Sequence, residues 1–123
     1  MKELLVIGLG GFLGSTSRYY LQNLVTAKIP VMFPLGTLLI NLIGSFLIGL
    51  FFGYIEKNHW FSTEVRLFLT IGFCGSFTTF STFAFENLEM LRAGNYFNFA
   101  LYTGLSVGLA ILLVWGGYLL ANR

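Results

Sequence analysis

The sequence predicts an all-α integral membrane protein of four transmembrane helices, the third of them broken. Three observations carry that reading. Apolar types make up 56% of the 123 residues and charged types only 10%, whereas a soluble domain carries about 25% charged residues to wet its surface. The apolar residues fall into four stretches, each close to the roughly 20 residues that cross a 30 Å hydrocarbon core. One of those stretches is dense in Gly, Ser, Thr and Phe, which is poor material for an unbroken helix. Four spans use about 80 residues and leave short connections, with no separate soluble domain.

The first span is expected over residues 4–24, interrupted late by Arg18. Lys2 ahead of an apolar run resembles a signal peptide, but Glu3 spoils the basic start and no small-x-small site precedes Arg18, so cleavage is not expected. Lys28, Pro30 and Pro34 mark a short loop. The second span, 36–55, carries no charged side chain, and Glu56, Lys57, Asn58 and His59 close it. The third, 65–90, is entered past Glu64 and Arg66. Arg92, Gly94 and Asn95 make the next turn, and the fourth span, 98–121, ends before Arg123.

Orientation follows the Lys/Arg bias between loops. With four spans, Lys2, Lys57, Arg66 and Arg123 share one side, and Lys28 and Arg92 the other, joined by Arg18 if it snorkels outward. So weak a bias predicts that copies insert both ways up and pair antiparallel. Small residues four apart allow close helix packing: Gly10 and Gly14, Ser45 and Gly49, Gly49 and Gly53, Gly104 and Gly108. Four short helices enclose little interior, so a pathway through the protein calls for a homodimer.

A net charge of +2 is too small for a nucleic-acid binder, which neutralises phosphates with a basic stripe. The single cysteine, Cys74, excludes an internal disulfide framework, and no nucleophile, base and orienter set suggests an enzyme. In the third stretch, Gly75 to Thr79 is the expected break. Backbone groups freed there must face protein, water or an ion, because lipid cannot satisfy them. The polar groups at membrane depth are neutral: Asn41, Thr78, Thr79, Ser81, Thr82, Tyr102 and Ser106. No carboxylate lies between Leu4 and Ile55. A proton-coupled multidrug carrier would want an acid deep in its first span, and a cation pore would want rings of acids or carbonyls. Uncharged donors suit a small anion. Phe80 and Phe83, three apart, share a face if that half is helical and can offer electropositive ring edges, although spacing alone favours ordinary packing. A membrane subunit with no transport of its own is the remaining alternative.

Three motifs, in order, then give the chain a resemblance over nearly its whole length. They are Gly10-Gly11-x-x-Gly14-x-x-x-Arg18-Tyr19, Gly36-Thr37-Leu38-x-x-Asn41-x-x-Gly44-Ser45-Phe46-x-x-Gly49, and Gly72-Phe73-Cys74-Gly75-x-x-Thr78-Thr79-Phe80-Ser81-Thr82-Phe83-x-x-Glu86. The chain resembles the Fluc (CrcB) family of bacterial fluoride channels. The resemblance implies a multi-pass protein of the bacterial inner membrane, and a dual-topology homodimer with two antiparallel pores that pass fluoride passively. It implies a structural sodium ion at the dimer centre, held by the backbone carbonyls matching Gly75 and Thr78 of both subunits. It makes Phe80 and Phe83 an aromatic box and Asn41 the pore asparagine. Ser81 and Thr82 match the adjacent polar track, and Tyr102 and Ser106 match the start of a track on the fourth span. Ala110 and Val114 follow at the same spacing without hydroxyls, which shortens that track here. Arg18 matches a vestibule arginine. Glu86 matches the acid after the phenylalanine pair, where a carboxylate beside an anion path has no evident purpose beyond a proton partner or a bond to the broken backbone.

Overall fold

A computed structural model describes all residues, 1–123, and every regular element in it is helical. Helix α1 runs Lys2–Lys28 and α2 runs Leu35–Lys57. The third stretch begins as α3 (Thr63–Leu67), passes through a π-helical turn (Phe68–Cys74) and ends its first half with α4 (Gly75–Phe77). Thr78 and Thr79 are extended, and the stretch resumes as α5 (Phe80–Arg92). Helix α6 spans Tyr96–Ala121.

The ends of these helices follow from local chemistry. Ile29, ahead of Pro30, leaves the helical region (φ −125°, ψ 82°), as the ring of a following proline demands. The Asn58 side chain donates to the Tyr54 carbonyl at 3.0 Å and ends α2. Ser62 caps α3 by accepting from the Val65 amide. Gly94, at φ 72°, ends α5. Its amide bonds the Leu91 carbonyl while the Asn95 amide bonds that of Met90, the paired closure that a left-handed residue after a helix makes possible.

Three helical stretches are long and apolar enough to cross a membrane: Leu35–Lys57, Thr63–Arg92 and Tyr96–Ala121. The surface fits that environment. Phe12, Phe85, Ile111 and Trp115 are exposed, while Thr37, Thr70, Asn87 and Ser106 are buried, the reverse of a water-soluble protein. The chain is therefore a multi-pass α-helical membrane protein. Helix α1, at about 40 Å, has the length of a span. Ser15, Thr16, Ser17, Arg18, Gln22 and Asn23 lower the hydropathy of its second half. One end of the bundle gathers the start of α1 and of α3 through the Lys2–Glu64 ion pair at 2.9 Å. Lys57 at the end of α2 bonds the Arg123 carbonyl beyond α6 at the same end.

Glycine sets how closely these helices approach. A Cβ on Gly10 would lie 2.6 Å from the Phe68 carbonyl oxygen, and one on Gly14 would meet that of Phe73, so α1 lies directly on the π-turn. Gly49 faces the Val114 carbonyl and Gly53 that of Tyr118, which brings α2 onto α6. Gly104 and Gly108 differ: nothing lies within 4 Å of a Cβ on either, so that pair packs against no part of its own chain. Gly10→Ala is expected to destabilise the fold by about 1–3 kcal/mol through overpacking against backbone, and Gly104→Ala to leave the folded chain unperturbed. Thermal unfolding in detergent checks both.

Candidate functional site

The break in the third stretch is held from α2. Asn41 sits mid-helix, and Gly44, one turn later, leaves room for the Thr78 methyl and the Phe77 ring. The Asn41 amide then pairs with Thr79 on both sides. Its Oδ1 accepts from the Thr79 amide at 2.7 Å and its Nδ2 donates to the Thr79 carbonyl at 3.0 Å. A side-chain amide thereby replaces the helical neighbours that an extended residue has lost, which answers the cost of bare backbone at membrane depth. Ser45 donates back to the Asn41 carbonyl at 2.7 Å.

Other freed groups are met locally. The Thr79 hydroxyl accepts from the Thr82 amide at 3.3 Å and caps α5, and it also donates to the Thr82 hydroxyl at 3.1 Å. The Cys74 carbonyl accepts both the Thr78 amide and the Thr78 hydroxyl. Arg18 on α1 donates from Nε to the Ser76 carbonyl at 3.1 Å, which places a cation at the C-terminal end of the first half-helix, where carbonyl dipoles accumulate.

Beside the break lies a cleft of about 370 Å³ between α2, the third stretch and α6. It brings together Asn41, Gly75, Thr78, Phe80, Phe83 and Ser106 from the residues expected to form a site, joined by Gly44, Ser45, Cys74 and Thr79. No acidic or basic side chain lines it. The Ser106 hydroxyl is buried and has no hydrogen-bond partner. Phe80 is 80% exposed, whereas Phe83 is buried, and their ring centroids are 5.7 Å apart. Exposure on that scale is not the packing of an interior phenylalanine within its own chain.

The remaining expected residues lie outside the cleft. Tyr102 is wholly buried behind Phe83, ring centroids 5.1 Å apart. Ser81 is exposed, and Thr82 belongs to the cap of α5. Glu86 lines a second, smaller cavity of about 160 Å³ beneath the α1–α2 loop, together with Gln22, Phe33 and Thr37. It accepts from the Thr37 hydroxyl and, at 3.4 Å, from the Tyr102 hydroxyl. Gln22 is the functional-looking residue that sequence reasoning had not singled out, while Thr79, expected there only as a hydroxyl at the break, also caps α5. Thr79 carries a readable signal, a threonine directly ahead of a helical run. The role of Gln22 depends on contacts across helices.

The site is thus an uncharged, hydrogen-bonding cleft at a broken span of a helical, multi-pass membrane protein. The family model described as CrcB-like protein, Camphor Resistance (CrcB), matches residues 5–118, and the chain belongs to this family. Among curated relatives, the protein named fluoride-specific ion channel FluC of Campylobacter jejuni (strain RM1221) is 44% identical over 120 residues, 98% of each chain. Proteins of the same name from Campylobacter lari (47% over 119 residues, 95% of each chain) and Bacteroides fragilis strain YCH46 (47% over 123 residues, 97% of this chain and 96% of the relative) are similarly close.

Thr79→Ala is expected to cost about 1 kcal/mol through loss of the α5 cap, and Thr79→Ser to keep most of that stability. Circular dichroism melts of the detergent-solubilised protein distinguish the two.

Proposed function

We propose that this chain forms a passive, fluoride-selective channel that lets fluoride leave the cytoplasm. The observation that carries the reading is the unpartnered, buried Ser106 hydroxyl in a cleft shared with Asn41, Phe80 and Phe83 and free of acidic and basic side chains. The shared name of relatives that match nearly the whole chain supports the same ion. Hydrogen fluoride crosses a membrane uncharged and dissociates in a neutral cytoplasm, so a passive path for the anion suffices to clear it. At the cleft, fluoride exchanges part of its water for the Ser106 hydroxyl, the Asn41 Nδ2 proton not used on Thr79, and the ring edges of Phe80 and Phe83. Chloride is larger and a weaker acceptor, so it regains less of what dehydration costs. Ser81 and Thr82 extend the polar path beyond the cleft, Tyr102 backs Phe83 from behind, and Arg18, on the Ser76 carbonyl at the break, supplies a vestibule cation. A multidrug carrier is disfavoured because the cleft has no acid to carry a coupling proton.

In this reading α1 is the fourth span, and the working unit is an antiparallel homodimer with two pores in the bacterial inner membrane. The balanced Lys/Arg distribution, the exposed Phe80 ring beside the cleft, and the uncovered Gly104 and Gly108 support pairing. A structural sodium ion suits the break. The Thr78 carbonyl receives no donor from the chain, and the Thr78 and Thr79 amides bond elsewhere than Gly75. Such carbonyl oxygens are what a hard cation takes, and two copies of Gly75 and Thr78 would supply four. The ion would neutralise converging carbonyl dipoles and tie the two breaks together.

Fluoride release from loaded liposomes, followed with a fluoride electrode, tests the function. The wild-type chain is expected to release fluoride. Asn41→Asp, which replaces a donor with a negative charge, is expected to nearly abolish release. Ser106→Ala is expected to slow it by about tenfold, the cost of one hydrogen bond to an ion. Sealed wild-type vesicles would refute the function, and normal release by Asn41→Asp would remove Asn41 from the path.

A further inference from the structure

Glu86 sets a problem for an anion path, and a chain of hydrogen bonds behind it supplies an answer. Gln22, in the last two turns of α1, donates from Nε2 to the Thr37 hydroxyl oxygen at 3.0 Å. Thr37, buried in the first turn of α2, donates in turn to Glu86 Oε1. Tyr102 approaches the other carboxylate oxygen at 3.4 Å, a long bond that leaves Thr37 as the principal tether. A hydroxyl has a single proton and two lone pairs. With the Gln22 amide on a lone pair, the Thr37 proton is directed at Glu86. Without that amide, the Thr37 hydroxyl proton is no longer directed at Glu86 alone and can turn to a backbone carbonyl three residues back, here that of the N-cap Pro34. Glu86 lies three residues beyond Phe83, so the two share a helix side. Yet Phe83 lines the cleft and Glu86 lines only the cavity beneath the α1–α2 loop.

We infer that Gln22 is a positioning residue: by fixing the Thr37 hydroxyl it keeps the Glu86 carboxylate turned into the loop-side cavity and away from the cleft. This rests on the fluoride reading above. Released from its tether, the carboxylate can swing toward Phe83 and repel the ion. The role belongs to this chain's own α1, and it makes an acid tolerable one helical turn from an anion path.

The test compares Gln22→Met, Glu86→Gln and the double variant in liposomes, all confirmed as folded by their elution from a sizing column. Gln22→Met is expected to lower fluoride release by at least about tenfold, the weight of a charge-assisted hydrogen bond, and to have no further effect in a chain already carrying Glu86→Gln. Equal losses with and without Glu86→Gln would overturn the inference, since the effect would not pass through the carboxylate. Unchanged release by Gln22→Met would overturn it too. Infrared spectroscopy gives a readout independent of flux. The Glu86 carboxylate band, assigned by its disappearance in Glu86→Gln, is expected to shift alike in Gln22→Met, Gln22→Glu and Thr37→Val. A band unmoved in the Gln22 variants would sink the tether even if Glu86→Gln alone stops release. Were the wild-type chain itself not to release fluoride, the functional reading would fail while the band still judged the tether.

Discussion

The structure depends on one residue of α2 acting as a surrogate backbone. A break in a membrane span frees amide and carbonyl groups that lipid cannot satisfy. Asn41 meets a freed pair at once, accepting from the Thr79 amide and donating to its carbonyl. The primary amide is the side-chain group that carries an acceptor and donors on one carbon. It can copy a peptide unit in this way, and its second Nδ2 proton is still free. Asp offers only acceptors when ionised, and Leu offers nothing. Gly44, one turn on, is the steric half of the same device, because a side chain there would hold Thr78 away from α2.

Around that pairing the chain distributes its polar groups economically. Arg18 and the Thr79 hydroxyl serve ends of the two half-helices. Thr37 and Tyr102 hold Glu86 on the loop side. What remains uncommitted is concentrated in the cleft: the Ser106 hydroxyl, the Thr78 carbonyl and the faces and edges of two phenylalanines. Groups that complete one another within the chain build the fold, and groups left incomplete mark where an ion or a second copy would enter.

Much of this was legible in the residues themselves. Long apolar stretches between charges and prolines report helices directly, because lipid admits only helices and closed barrels and a run of about 20 apolar residues fits the helix. The break was legible because Gly, Ser and Thr compete with helix for backbone hydrogen bonds, and Thr79 shows that competition as an N-cap. Gly10, Gly14, Gly49 and Gly53 announced close packing by spacing. Gly104 and Gly108 carry the same spacing without a partner in their own chain, since a small-residue stripe says that something approaches and not what. The dual use of Asn41, the capping bond of Arg18 and the link from Gln22 through Thr37 to Glu86 were not legible. Each joins residues of different helices, and only the packed bundle brings them within hydrogen-bond reach. α1 illustrates the converse: its polar second half reads as a weak span by hydropathy, yet those side chains include the Arg18 and Gln22 that brace the third and second stretches.

The central claim is that neutral donors at a backbone break let the smallest halide shed water where larger halides cannot. It is tested most directly by loading one set of vesicles with equal fluoride and chloride and measuring release of both through the reconstituted wild-type protein. The account predicts rapid loss of fluoride with chloride retained. Release of the two at similar rates would contradict it, because an unselective path would owe nothing to hydrogen-bond acceptance or to ion size.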